Sequence, residues 1–246
     1  MDANRLITID TLMNSIEQRA VQLPGADPVP TCPEWDVNAL INHLAIVLSR
    51  MRIRIETNAD PDPDAMPSTP PNGMTAPEWL SLSYRELRTT FLNHEPEDPA
   101  WNWTGENQIV GWYIRRLAHE LAIHLIDLDA ASPSSTPPEE LGIDAALAAD
   151  GLDELLTVFL PTRSPRSTHP MEHHVLALTP TESPGQPWYV ELNGLEISAG
   201  HDERPADATI KGSSVALYLF GWNRPAEGLT TTGDSTAIQD FSSIPR

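Results

Sequence analysis

The chain of 246 residues is short of several things, and each shortage excludes something. It has one cysteine, Cys32, which rules out an internal disulfide framework and any cysteine-rich metal site. It has one lysine, Lys211, and only 15 Lys+Arg against 35 Asp+Glu, for a net charge of −20 and a pI near 4.5. Nucleic acid as a partner needs a basic patch, so this balance excludes it and argues against docking on anionic membranes. No apolar run approaches the ~18 residues of a transmembrane helix. The opening Met1-Asp2-Ala3-Asn4 lacks a basic region followed by an apolar stretch, so no secretory signal is expected and the expected location is the cytoplasm. What is present is a 40% share of hydrophobic residues, enough for a real core, and 24 prolines that punctuate the chain.

The first half reads as helices. Leu6, Ile9, Leu12, Met13, Ile16 and Ala20 recur at helical spacing over 4–22. Asp36 is a good N-cap for a second helix that runs to about Glu56 through Leu40, Ile41, Leu44 and Leu48. Six prolines between 58 and 77 predict a long, mostly extended surface connection, either floppy or folded over a site as a lid. Third and fourth helices are expected over 77–93 and 107–130, giving an up-and-down four-helix bundle. The stretch Ala131 to Pro138 has linker composition. Beyond it, helices at 142–160, 213–222 and 234–241 mix with strand-like runs at 174–179, 188–192, 195–199 and 207–211. That mixture predicts a small α+β domain. The expected boundaries are 1–131 for the bundle and 140–246 for the second domain.

The fourth helix carries the chemistry. On a wheel at about 100° per residue with Glu120 at zero, Arg116 falls near −40°, His124 near +40°, Asp127 near −20° and Tyr113 near +20°. The rest of the helix is largely apolar, so this narrow polar stripe is expected to be buried, where a carboxylate needs a partner. Glu and His four residues apart can reach one ion from one face. His43 lies mid-helix in an apolar setting, Leu40-Ile41-Asn42-His43-Leu44. If the second helix faces the fourth, His43, Glu120 and His124 form an open three-ligand site for a divalent metal, zinc above others. Asp127 would then orient the His124 ring. A salt-linked surface pair and a satisfied core histidine are the alternatives. His169, Glu172, His173 and His174 are read as a solvated loop patch, and Cys32 as a packed, inert thiol. Trp101, Trp103 and Trp112 are read as core packing.

Two segments carry a resemblance. Pro30-Thr31-Cys32-Pro33-Glu34-Trp35-Asp36 with Leu40, His43 and Leu44, and Arg115-Arg116-Leu117-Ala118-His119-Glu120 with His124 and Asp127, resemble the two signatures of the mycothiol-dependent maleylpyruvate isomerase family. The wider group is the DinB-like metal-binding four-helix bundles. The resemblance implies metal ligation by His43, Glu120 and His124, the residues that the wheel selects. Ala206 to Gly212, Leu217 to Phe220 and Arg224-Pro225 resemble, more loosely, the family's sterol-carrier-like second domain. Where the family often has Arg after the second histidine, this chain has Leu125. Mycothiol is made by GC-rich actinobacteria, which fits a chain with arginine far in excess of lysine.

The resemblance implies an enzyme that uses zinc, or another divalent ion, and the thiol mycothiol. A metal-bound thiol loses its proton near neutrality and can add to an electrophilic double bond. Rotation and elimination then give cis–trans isomerisation; addition without elimination gives S-transfer. Arg224 or Arg116 would bind an anionic substrate group, and Arg224 a polar group of the cofactor. The expected partners are a small electrophile and a low-molecular-weight thiol, on a monomer or small homo-oligomer. The rival reading is a non-enzymatic metal-binding module with a small-ligand-binding second domain.

Overall fold

A computed structural model describes residues 2–163, 170–182 and 185–246. The chain divides into two compact units, 1–142 and 143–246.

The first unit holds four long helices: α1 (Asp2–Gln22), α2 (Val37–Thr57), α3 (Ala76–Leu92) and α4 (Val110–Ala130). Each start has a local cause. The Asp36 side chain accepts the Ala39 N–H at 2.7 Å, and α2 ends where Asn58 turns left-handed at φ 46°. Thr75 and Glu78 form a reciprocal capping box that starts α3. Between these helices, 58–75 holds one 3-10 turn, Pro63–Ala65, and buries only Met66. The fourth helix begins at Val110 rather than 107, because Asn107 is left-handed at φ 46° and buried Asn102 organises the preceding loop. The Asn102 amide donates to Glu106 O and accepts from Thr104 N.

Apolar side chains drive the packing. Ile9, Leu12, Met13 and Ile16 of α1, Leu40, Leu44 and Leu48 of α2, Leu80 and Leu87 of α3, and Leu117, Leu121 and Leu125 of α4 are fully buried. Helix α4 is enclosed on almost every side, and that enclosure carries its polar stripe inside with it.

In the second unit α5 (Ala145–Glu154) runs through a π-helical segment, Leu155–Phe159, into the short α6 (Leu160–Arg163). Its start lies after 142 because Gly142 is left-handed and Asp144 supplies the cap. Strands β1 (Met171–Pro180), β2 (Trp188–Gly194), β3 (Glu196–Gly200), β4 (Ala208–Gly212) and β5 (Thr230–Gly233) form one mixed sheet in the order β3-β2-β1-β4-β5. Among the described residues only the β1–β4 pair is parallel. Helices α7 (Ser214–Gly221) and α8 (Ser235–Ser243) complete the unit. The architecture is the expected one, helices followed by a small α+β unit. Strand β5 was not anticipated, although Thr230-Thr231-Thr232 has the β-branched character of a strand.

One reading is corrected here. Glu172 and His173 are exposed but lie on β1 rather than in a loop, because the backbone pairs with β2 from Met171 onward, and His174 lies on the strand expected at 174–179. His174 is buried with Asp240 Oδ2 at 3.4 Å, and His173 pairs with Glu191 Oε1 at 3.1 Å. His169 lies outside the described residues.

Candidate metal centre

Helices α2 and α4 bring together the three residues that the sequence nominates. His43 Nε2 lies 3.1 Å from Glu120 Oε1, and His124 Nε2 lies 3.4 Å from the same oxygen. One ligand atom from each of His43, Glu120 and His124 falls within 4.8 Å of the others. Two nitrogen donors and one oxygen about 2.0–2.2 Å from a tetrahedral ion would stand roughly 3.3 Å apart, and the two separations from Glu120 Oε1 are close to that.

The carboxylate divides its oxygens. Oε1 faces the two imidazoles, while Oε2 receives the Arg116 guanidinium. Burial pushes the Glu120 carboxyl up, but the Arg116 charge and the hydrogen bonds of His124 and His43 outweigh it and hold it well below the usual range. Arg116 is 3% exposed, and its charge is matched inside the protein by Glu120. The four-residue spacing to Glu120 puts the pair on one buried face.

His124 is held from its other nitrogen. Nδ1 lies 2.9 Å from Asp127 Oδ2, which leaves Nε2 facing Glu120 and His43. Burial pushes the imidazole down, yet hydrogen bonds to Asp127 and Glu120 outweigh that and raise it to about 9. Asp127 is fully buried and is itself held by the loop before α2. Thr31 Oγ1 donates to Oδ1 at 2.6 Å, and Cys32 Sγ donates to Oδ2 at 3.4 Å. Cys32 therefore belongs to the supports of the site, a role its position 95 residues away in sequence conceals. Trp35, from the same loop, lies against both imidazoles, with ring centroids 4.8 Å from His43 and 6.1 Å from His124. Thr31, Cys32 and Trp35 as supports were missed by residue-level reasoning; the only signal was their membership of one short motif.

Tyr113 continues the stripe and donates to Trp101 O at 2.6 Å. Trp103 and Trp112 meet edge to face, and Arg54 stacks over Trp101 and Trp103. Arg224 belongs to the second unit, just after α7, where its Nη1 donates to Trp222 O at 2.8 Å.

The model of the mycothiol maleylpyruvate isomerase N-terminal domain matches residues 18–129, and that of the same family's C-terminal domain matches 146–240. The chain belongs to the mycothiol maleylpyruvate isomerase family. Both halves are thereby accounted for, and all three clustered residues fall inside the N-terminal match. The fold is also that of a solved mycothiol-dependent maleylpyruvate isomerase, at TM-score 0.61 and 14% identity over 95% of this chain and 94% of that one. A histidine-to-alanine mutant of a mycothiol-dependent maleylpyruvate isomerase matches at TM-score 0.60 and the same identity and coverage. At that identity the likeness concerns the fold. No curated protein matches the sequence. Among the described residues no helix is long and apolar enough to cross a membrane.

Proposed function

We propose that this family member is a mycothiol-dependent isomerase of the maleylpyruvate isomerase type, working on a divalent metal, zinc, held by His43, Glu120 and His124. The observation that carries the reading is the convergence of those three donors within 4.8 Å in the domain that matches the family's N-terminal model. His43, Glu120 and His124 would hold the ion, which would supply a site where a low-molecular-weight thiol ionises near neutrality.

The chain's own residues do the remainder. Asp127 accepts the Nδ1 proton of His124 and so fixes the tautomer that points Nε2 at the site. Arg116 holds Glu120 ionised and aims its free oxygen at the histidines. Trp35 walls the imidazoles on one side. Arg224 is the residue we assign from the second unit to an anionic substrate group or a polar group of the thiol.

The test is turnover of maleylpyruvate by zinc-loaded protein with mycothiol. The account expects cis–trans conversion that needs both and is abolished in His43→Ala. Conversion with either omitted, or none with both present, would overturn it.

A further inference from the structure

The face of α2 that carries His43 holds two more charges. At about 100° per residue, Arg50 lies within roughly 20° of His43 to one side and Arg54 within roughly 20° to the other. The contacts of His43 and Arg54 show where that face looks. His43 meets Glu120 of α4 at 3.1 Å. The Arg54 guanidinium lies 5.4 and 5.6 Å from the ring centroids of Trp101 and Trp103, in the segment leading into α4. Burial pushes the Tyr113 phenol of α4 up, and the Arg54 charge opposes it. Arg52, about 160° round the helix from Arg50, looks elsewhere. It pairs with Glu56 at 2.8 Å and Glu86 at 3.3 Å. Arg50 therefore stands on the α4 side, between the triad and the tryptophans, about 10 Å along the helix from His43.

The charges around it are already matched. Arg116 has Glu120, and Arg54 has Asp60 at 3.8 Å. Arg50 is half-buried, its Nε is enclosed without a hydrogen-bond partner, and among the described residues no carboxylate pairs with it. The Nε atoms of Arg52 and Arg54 are also without hydrogen bonds, but those guanidiniums have carboxylates within 4 Å. Among the described residues Arg246 also has no acid, but its Nε, Nη1 and Nη2 donate to the carbonyls of Gly221, Ile244 and Phe241, whereas the Arg50 Nε has no acceptor. A guanidinium fork is built to take a carboxylate through two parallel hydrogen bonds.

We infer that Arg50 is the anchor for a carboxylate of the electrophile, bound between α2 and α4 beside the triad. This rests on the proposed function and deepens it by naming a residue that selects the substrate. Arg50 makes its contact with the organic anion and not with the metal, so its contribution persists with the metal removed.

Calorimetric titration of maleate, a four-carbon dicarboxylate, into the full chain tests this, with and without zinc. Maleamide serves as the neutral isostere. The inference expects maleate affinity to fall at least ten-fold in Arg50→Gln, in both metal states, with zinc content and maleamide binding unchanged. Arg50→Lys keeps the charge without the fork and should fall several-fold, which decides the matter even if Arg50→Gln does not fold. Equal maleate affinity in wild type and variants overturns the inference, as does failure of the wild type to bind maleate. Wild-type protein that takes no zinc but binds maleate through Arg50 would sink the metal reading and leave this one standing.

Discussion

Replacing Asp127 by Asn separates two things that this carboxylate does. It is fully buried and accepts from Thr31 Oγ1, Cys32 Sγ and His124 Nδ1. Asparagine offers one acceptor oxygen and an NH₂ donor, so one of these donors would face another donor. Loss of such a support beneath a metal-bound histidine costs about 10–100-fold in metal affinity. A second effect opposes it. Asp127 and Glu120 raise His124 to about 9, so at pH 7 a proton occupies the nitrogen that a metal needs, and that proton must leave on binding. Removing the Asp127 charge weakens the hold on the proton and returns part of the lost affinity at neutral pH. The wild-type advantage over Asp127→Asn should therefore be smallest near pH 6.5 and grow toward the full 10–100-fold as pH approaches 9. Chelator competition with zinc at several pH values measures it. Wild-type affinity that does not rise between pH 6.5 and 9, or an advantage that shrinks over that range, would refute the reasoning.

Further expectations concern the metal-free protein and its packing. His124 is raised in the fold, so its contribution is fully present below about 6.5 and is lost as pH climbs through about 9. The thermal midpoint of metal-free wild type should therefore drop over that window relative to His124→Gln. Glu120 is depressed, so its contribution is present above the ordinary glutamate range and vanishes on acidification through its lowered value; Glu120→Gln should flatten the acid limb of a pH–stability curve. Ser49 and Ser83 share a buried hydrogen bond of 3.0 Å between α2 and α3. Either single alanine variant should lose about 1–3 kcal/mol in urea denaturation, and the double variant little more than one single, because both polar groups then leave together. Thr75→Ala removes the capping box of α3 and should cost about 1 kcal/mol by the same measurement.

The helices were legible because their signals are local. Asp36 caps α2 as its side-chain chemistry demands, and the apolar spacing of α1 and α4 matches what the fold buries. The polar stripe of α4 was legible for the same reason, since the wheel places Arg116, Glu120, His124 and Asp127 on one face whatever packs against it. Long-range contacts were not. Cys32 has no histidine near it in sequence, yet the loop before α2 brings it to Asp127 and so to His124. Glu172 and His173 looked like part of a proline-bounded loop, and the pairing of β1 with β2 from Met171 overrode that signal. Strand β5 is a four-residue edge that exists only because β4 offers it a ladder.

Metal content is the most direct measure of the central claim. Elemental analysis of untagged wild-type protein beside His43→Ala and His124→Ala should find close to one zinc per chain, lost in both variants while their helical content is retained. Wild-type protein without metal, or metal retained unchanged in both variants, would contradict the assignment of His43, Glu120 and His124 as the ligands.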